Sequence, residues 1–421
     1  MTVALIVLLL VLLAIGVHVG FALWLVGLFA VFVFQVTSPT QIAQSIYSGL
    51  DSFVLLAIPF FILAGNIMLR SGFAQYLFQL MQSIVGGISG GAALGASGTS
   101  AIFGSMTGSS VASAAALGRV IIPTMGSMGY PRSFTAGLMA AGGTLGILIP
   151  PSVTFVIYAE MAQESVKDLF LAGVVPGIVA ASAIGLVAFV IARRNGYGEQ
   201  TWVFSFRRIG RALVLAGPAL MMPGIVLGTI YLGLLTPTEA AAASVVYGLI
   251  VGIFFYRTIG LRDLPAVFVE SARSTGAILF ILSGALFVGM VATLAGIPDA
   301  IVAAIKAQEL SPFGFLFLVT AVLLVLGCFL DGFTLLTVVT PLLLPSVKSL
   351  GIDPIHFAII LTLNIEIAAI TPPIGLNLFV IAGISGTTMK EVVAGSFPFV
   401  FALLAVVILI IFFPQIALVL L

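Results

Sequence analysis

Charge is what this sequence has least of: 15 basic and 14 acidic residues in 421, or 7%. A chain that is 61% hydrophobic, with a mean hydropathy of +1.32, cannot hide its apolar surface in one water-soluble core, so its solvent is largely lipid. A net charge of +1 and the want of any basic, aromatic-laced patch exclude nucleic acid as a partner. The single cysteine, Cys328, rules out an intramolecular disulfide framework, and the two histidines, His18 and His356, do not supply the usual zinc spacings. Neither a disulfide nor a transition metal is expected. No positive segment precedes the first apolar stretch, Val3 to about Phe34, which is too long for the core of a signal peptide. It is expected to stay in the mature protein, as one long tilted helix or as two short ones hinged near Gly16 to Gly20.

What is present occurs twice. Gly129, Pro150 and Pro151 are matched by Gly351, Pro372 and Pro373, each pair 222 residues apart (351−129, 372−150, 373−151). Pro123 and Pro345 keep the same interval. Two apolar segments broken by Pro-Pro at one place mark the discontinuous helices that transporters put at binding sites.

Arg193, Arg194, Arg207, Arg208 and Arg211 crowd one polar segment, and Arg257, Arg262 and Arg273 crowd another. Excess basic charge places both on the cytoplasmic side. The apolar stretches between, about 213–232 and 239–256, cross and return. Thr236-Pro237-Thr238-Glu239 opens the second with a capping-box pattern, so Glu239 is read as a cap rather than a catalytic acid. Counting spans outward from these anchors, the broken helices 133–160 and 355–385 cross in opposite directions, which makes an inverted-topology repeat. Before each lies an apolar stretch with a polar middle: Ala92 to Met125, interrupted at Gly104–Ser110, and Phe313 to Pro345, interrupted at Gly327–Thr334. Their arms are too short to cross about 30 Å of hydrocarbon. Both are read as re-entrant helical hairpins. A weaker likeness links Phe61–Gly65 to Phe280–Gly284 at an offset of 219 (280−61).

Unwound backbone at membrane depth survives only where it is buried in protein or lines a cavity. Glycines and prolines around Gly142–Gly146 and Pro150-Pro151 are expected to release carbonyls there, and hydroxyls lie close by in sequence. The first cation site is placed on Ser105, Thr107, Gly108, Ser109, Gly142, Thr144, Gly146 and Pro150. The second falls on Gly327, Asp331, Gly332, Thr334, Asn364, Glu366, Thr371 and Pro372. Hard oxygen donors of this kind suit sodium. The second arm of each hairpin aims a helix N-terminus at the midplane, which favours an anion; Ser109, Ser110, Thr144 and Asn377 are the substrate-binding candidates. Other readings compete. Glycines before Gly104, in G-x-x-x-G spacing with Gly108, suit close helix packing, and a Ser or Thr within a helix often bonds back to the preceding turn. Asp331 and Glu366 are intramembrane acids, costly and commonly functional, so a proton relay stays open for both. Arg119 pairs with an acid or a lipid phosphate, or meets substrate. His18 and His356 are read as interfacial or structural.

Pro59–Gly65, Gly104–Ser110, Gly146–Ser152, Thr236–Ala240 and Thr371–Gly375 together resemble the large membrane subunit of tripartite ATP-independent periplasmic (TRAP) transporters, over essentially the whole chain. The resemblance implies an all-α polytopic protein of the bacterial inner membrane, with an elevator-type transport domain and a scaffold. It implies two partners, a small four-helix membrane subunit and a periplasmic substrate-binding protein, and sodium-driven uptake of small organic acids such as C4-dicarboxylates or sialic acid. No cofactor beyond sodium as coupling ion is implied. The expected divisions are scaffold helices 1–72, a first repeat core 73–170, scaffold helices and cytoplasmic loops 171–273, a second repeat core 274–390 and a C-terminal helix 391–421. The alternatives are a single-chain carrier similar to divalent-anion/sodium symporters, which typically carry Ser-Asn-Thr at both tips as neither tip does here; a passive channel; and an intramembrane enzyme built on Asp331. No second acid stands in a matching motif, so the chain is not read as an enzyme.

Overall fold

A computed structural model describes residues 1–198 and 205–421, and every regular element among them is helical. The apolar N-terminal stretch is two helices, α1 (Thr2–Ala14) and α2 (Val19–Phe34), parted where Gly16 takes a positive φ of 85°. α3 (Pro39–Leu50) starts on a Ser38 cap and a first-turn proline, and it meets α4 (Ala57–Arg70) at a bend of 62° that the hydropathy pattern does not announce. α5 (Phe73–Val85) follows.

The first hairpin is α6 (Gly91–Thr107) and α7 (Ser110–Ser127), separated by only Gly108 and Ser109. Gly108 has φ +58°, and the Ser109 hydroxyl caps α7 by accepting from the Ala112 amide at 3.4 Å. At about 1.5 Å per residue, the 17 residues of α6 reach roughly 25 Å, short of a full span. The first broken helix is α8 (Arg132–Leu148) and α9 (Val153–Ala162), bent by 41°. α10 (Val166–Arg194), α11 (Phe206–Tyr231), α12 (Pro237–Ile250, continued as a wider π turn to Phe255) and α13 (Leu264–Leu294) are long apolar helices. The capping box at Thr236 and Glu239 forms as expected. α14 (Ile297–Ala307) leads to the second hairpin, α15 (Pro312–Gly327) and α16 (Gly332–Ser349), then to the second broken helix, α17 (Pro354–Ala369) and α18 (Leu376–Ser385). α19 (Met389–Phe412) and the short α20 (Gln415–Leu418) close the described chain. Six helices are long and apolar enough to span a membrane, or up to eight if each bent pair counts as one.

The boundaries of the two halves repeat. α7 and α16 start 222 residues apart (332−110) and end 222 apart (349−127); α8 and α17 start 222 apart (354−132). Gly129 and Gly351 both have positive φ, and Pro150-Pro151 and Pro372-Pro373 are both cis. The halves also interlock: α18 packs on α7 and α8, and α9 packs on α16.

Two expectations need correction. Gly142–Gly146 do not unwind, because α8 is helical through Leu148 and the break falls at Ile149–Ser152. Likewise Asn364 and Glu366 lie inside α17, and the second break is 370–375. The divisions at 170/171 and 273/274 run through the continuous helices α10 and α13, which carry Lys167 and Arg273 on turns beyond the apolar window. The middle of the Arg193–Arg211 segment, 199–204, lies outside the described residues.

Candidate functional site

The glycines of α8 are close-contact positions. A Cβ on Gly142 would sit 2.4 Å from Ser100 Oγ of α6, one on Gly143 2.5 Å from Ala114 Cβ of α7, and one on Gly104 2.9 Å from the Gly146 backbone. Only glycine lets both hairpin arms press this tightly on one helix. The second half repeats the device with a different residue: Gly327 closes the first arm of its hairpin against Ala368, where a Cβ would approach to 2.3 Å. Ala368 stands 222 residues after Gly146 (368−146).

This packing brings the two tips together. A cavity of about 70 Å3 is lined by Ser109 and Ser110 of the first tip, Asp331 and Gly332 of the second, and Thr154 and Leu376 just past the two breaks. Ser110, Gly332 and Leu376 are the first residues of α7, α16 and α18, and Thr154 is the second residue of α9. Four helix N-termini therefore adjoin one small space, and their free amides and aligned dipoles make it electropositive. Asp331 does not leave its charge idle there: Oδ1 accepts from the amides of Phe333 and Thr334 at 3.0 and 3.1 Å, and Oδ2 from the Thr334 hydroxyl at 2.5 Å. It is the N-cap of α16, the counterpart of Ser109 at the same interval (331−109 = 222).

A second cavity, of about 90 Å3, separates the first tip from α4 and α13. Thr107, Gly108 and Ser109 face Asn66 and Ser274 across it. The Asn66 amide donates to Ser271 at 2.8 Å. Asn66 and Ser274 were not among the sequence candidates, although an isolated amide in the apolar helix α4 is a readable signal. The Thr107 hydroxyl pairs closely with that of Ser113.

The remaining candidates are spread more widely. Ser105 and Pro150 line a broader apolar groove toward α10 and α11. The Ser105 and Thr144 hydroxyls each donate at 2.7 Å to a carbonyl three residues back, Ile102 and Ala141, and Thr144 lines neither small cavity. Thr371 donates to Ile367 at 2.7 Å. The Asn364 amide donates to Ile360 at 2.8 Å and to Thr320 at 3.3 Å. Asn377 donates to Ser110 at 2.7 Å and to the Ala140 carbonyl at 3.0 Å, which gathers two of the substrate candidates. Three residues keep buried oxygens with no hydrogen-bond partner: Asn364 and Asn377 through their amide oxygens, Glu366 through both carboxyl oxygens. The two breaks differ in exposure, Pro150–Ser152 being buried and Pro372–Ile374 exposed. His356 is structural, its ring bonded to the Ile410 carbonyl of α19 at 2.9 Å.

The family described as "Tripartite ATP-independent periplasmic transporter, DctM component" matches residues 6–416. The chain belongs to this family. It is 38% identical over 403 residues to the C4-dicarboxylate TRAP transporter large permease protein DctM of Pseudomonas aeruginosa, covering 94% of this chain and 93% of that one. It is 33% identical over 405 residues to the sialic acid TRAP transporter large permease protein SiaM of Vibrio cholerae, covering 96% and 95%. In fold it is similar to the Alcanivorax borkumensis YdaH transporter, with a TM-score of 0.67 at 14% identity over 89% of this chain and 88% of that one. The chain is thus a TRAP transporter large permease, a multi-span membrane protein and not an enzyme.

Proposed function

We propose that this permease takes up a small organic anion by sodium symport across the bacterial inner membrane. A periplasmic binding protein delivers the solute, and a small four-helix membrane subunit completes the assembly. The observation that supports this reading best is the convergence of four helix N-termini on one cavity between the hairpin tips. Free amides there suit a carboxylate or sulfonate. The relatives named for C4-dicarboxylate and sialic acid carry solutes of that charge class.

A volume of about 70 Å3 holds roughly two waters, so an organic acid enters only when the tips part. Sodium is assigned to the flanks, where hard oxygens are available: Thr107, Gly108 and Ser109 at the first tip, Gly327–Thr334 with the Asn364 and Asn377 amide oxygens at the second. A hydroxyl that donates to a helix carbonyl still offers its lone pairs to a cation, so the internal bonds of Ser105 and Thr144 do not disqualify them. The hairpins and broken helices, glycine-locked to one another, are assigned to the moving body of an elevator. The long helices α10 to α13 are assigned to its frame, which leaves the proposed divisions intact except where they cut a helix.

The test is uptake into proteoliposomes holding this chain and its small subunit, with candidate binding proteins outside, with and without an inward sodium gradient. Accumulation that needs both sodium and a binding protein is expected. Transport that needs neither would overturn the symport reading and the ion assignments with it.

A further inference from the structure

Three guanidinium groups face one cavity with no acid beside them. The opening, about 650 Å3 between α5, α7 and α11, is lined by Arg119 from the second arm of the first hairpin and by Arg208 and Arg211 from α11. Gln75 and Gln79, one turn apart on α5, and Thr124 on α7 add amide and hydroxyl groups to the wall, and none of its lining residues is acidic. Among the described residues the one ion pair is Arg70–Glu270, at 3.1 Å, so neither Arg119 nor Arg211 has a carboxylate in reach. Like charges around a partly enclosed space raise its potential by several kT and draw in a counter-ion. The planar fork of arginine matches phosphate oxygens two at a time.

A second observation narrows the anion. Farther along α11, Leu220, Pro223 and Leu227 border a groove of about 600 Å3 whose other walls are apolar residues such as Leu94 of α6 and Ile178 of α10. From Arg211 to Leu220 is nine residues (220−211), or roughly 14 Å along a helix axis, about the drop from a lipid phosphate into its acyl chains. The basic end of α11 adjoins the polar segment whose charge places it at the cytoplasmic surface. One helix thus carries a phosphate-matching pocket at headgroup level and an apolar channel at hydrocarbon depth.

We infer that this face binds an anionic phospholipid, its phosphate held by Arg119, Arg208 and Arg211 and an acyl chain laid in the groove along α11. The bound lipid spans two bodies, because Arg119 belongs to the first hairpin and the other two arginines to α11. Its presence therefore favours the arrangement in which hairpin and helix are close.

The test uses the chain purified with its small subunit in mild detergent, with native mass spectrometry and thermal unfolding after addition of phosphatidylglycerol, cardiolipin, phosphatidylcholine or inorganic phosphate. The two anionic lipids are expected to persist as adducts and to raise the unfolding temperature, while phosphatidylcholine and phosphate do neither. Arg119→Gln with Arg211→Gln should weaken retention of the anionic lipids roughly tenfold, the loss of about one charge-assisted contact, without changing retention of phosphatidylcholine. The single substitutions lie on different helices and serve if the pair does not fold. Unchanged retention in both single variants would overturn the inference. Stabilisation by phosphate equal to that by lipid would reassign the pocket to a free anion, and adducts found only when the small subunit is absent would give this face to that subunit.

Discussion

The amide of Asn377 donates to the hydroxyl of Ser110, 267 positions earlier, at 2.7 Å. The same amide reaches the Ala140 carbonyl at 3.0 Å, so one buried side chain ties the second broken helix to the first hairpin tip and to α8. Removing either partner leaves a buried polar group unmatched, at a cost of about 1–3 kcal/mol. In Asn377→Ala, Ser110→Ala and the double variant, thermal unfolding should show a coupling of about 0.5–1.5 kcal/mol, the range for hydrogen bonds between membrane helices. Strictly additive losses would mean that the two residues are neighbours without being partners.

Glycine positions give a paired comparison. A methyl on Gly104 would meet the Gly146 backbone at 2.9 Å, whereas one on Gly126, also in the first hairpin, meets nothing within 4 Å. Gly104→Ala should therefore destabilise by about 1–3 kcal/mol through overpacking and depress uptake. Gly126→Ala should be neutral or stabilising by up to about 1 kcal/mol, since it only reduces the freedom of the unfolded chain. Equal effects of the two substitutions on unfolding would show that the hairpin does not depend on this contact.

The repeat was legible because prolines act locally: Pro150-Pro151 and Pro372-Pro373 break their helices wherever the chain is placed, and the helix ends around them kept the 222-residue interval (372−150). Glycine was not legible in the same way. A glycine that frees a backbone and one that admits a neighbouring helix look alike in sequence, and Gly142–Gly146 turned out to be the second kind because Ser100 and Ala114 press on them. Nor could sequence show that Ser110 and Asn377 meet, or that Asn66 and Ser274 face the first tip. Those are tertiary facts set by how α18 and α4 pack. The charged helix ends at Lys167 and Arg273 were mistaken for loops because hydropathy records where the hydrocarbon stops, not where a helix does.

Asp331 separates two roles by substitution. As the cap of α16 it accepts from two amides and a hydroxyl, and asparagine can replace most of that, so Asp331→Asn should cost little stability and Asp331→Ala about 1 kcal/mol. Both should lose sodium dependence of uptake if a charged oxygen is needed for the ion. Full sodium dependence in Asp331→Asn would reduce this acid to a cap.

Two exposed capping boxes set a small acid sensitivity. The Glu239 and Glu391 carboxylates accept from the Thr236 and Thr388 amides and hydroxyls, and those hydrogen bonds hold both groups below the ordinary glutamate value of 4.5. A lowered folded-state value means that the stabilisation is complete above the unfolded value and is lost as pH falls through the folded one. Unfolding temperature followed from pH 6 downward should therefore fall below about 4.5, and Glu239→Gln with Glu391→Gln should flatten that part of the curve. An unchanged slope would locate the acid response elsewhere.

Glu366 is the most exposed to test of all, because it is the least explained. It is fully buried in α17 and neither carboxyl oxygen has a hydrogen-bond partner among the described residues. A buried, unmatched polar group costs folding free energy, and in a membrane helix such a group commonly serves an ion or a substrate. Glu366→Leu removes the cost and Glu366→Gln keeps the shape without the acid. The leucine variant should unfold at or above the wild-type temperature, while uptake in both falls by about an order of magnitude or more, the equivalent of some 1.4 kcal/mol in the limiting step. Wild-type uptake in Glu366→Gln would remove this residue from the second cation site, leaving Asn364 and the tip around Asp331 to hold it.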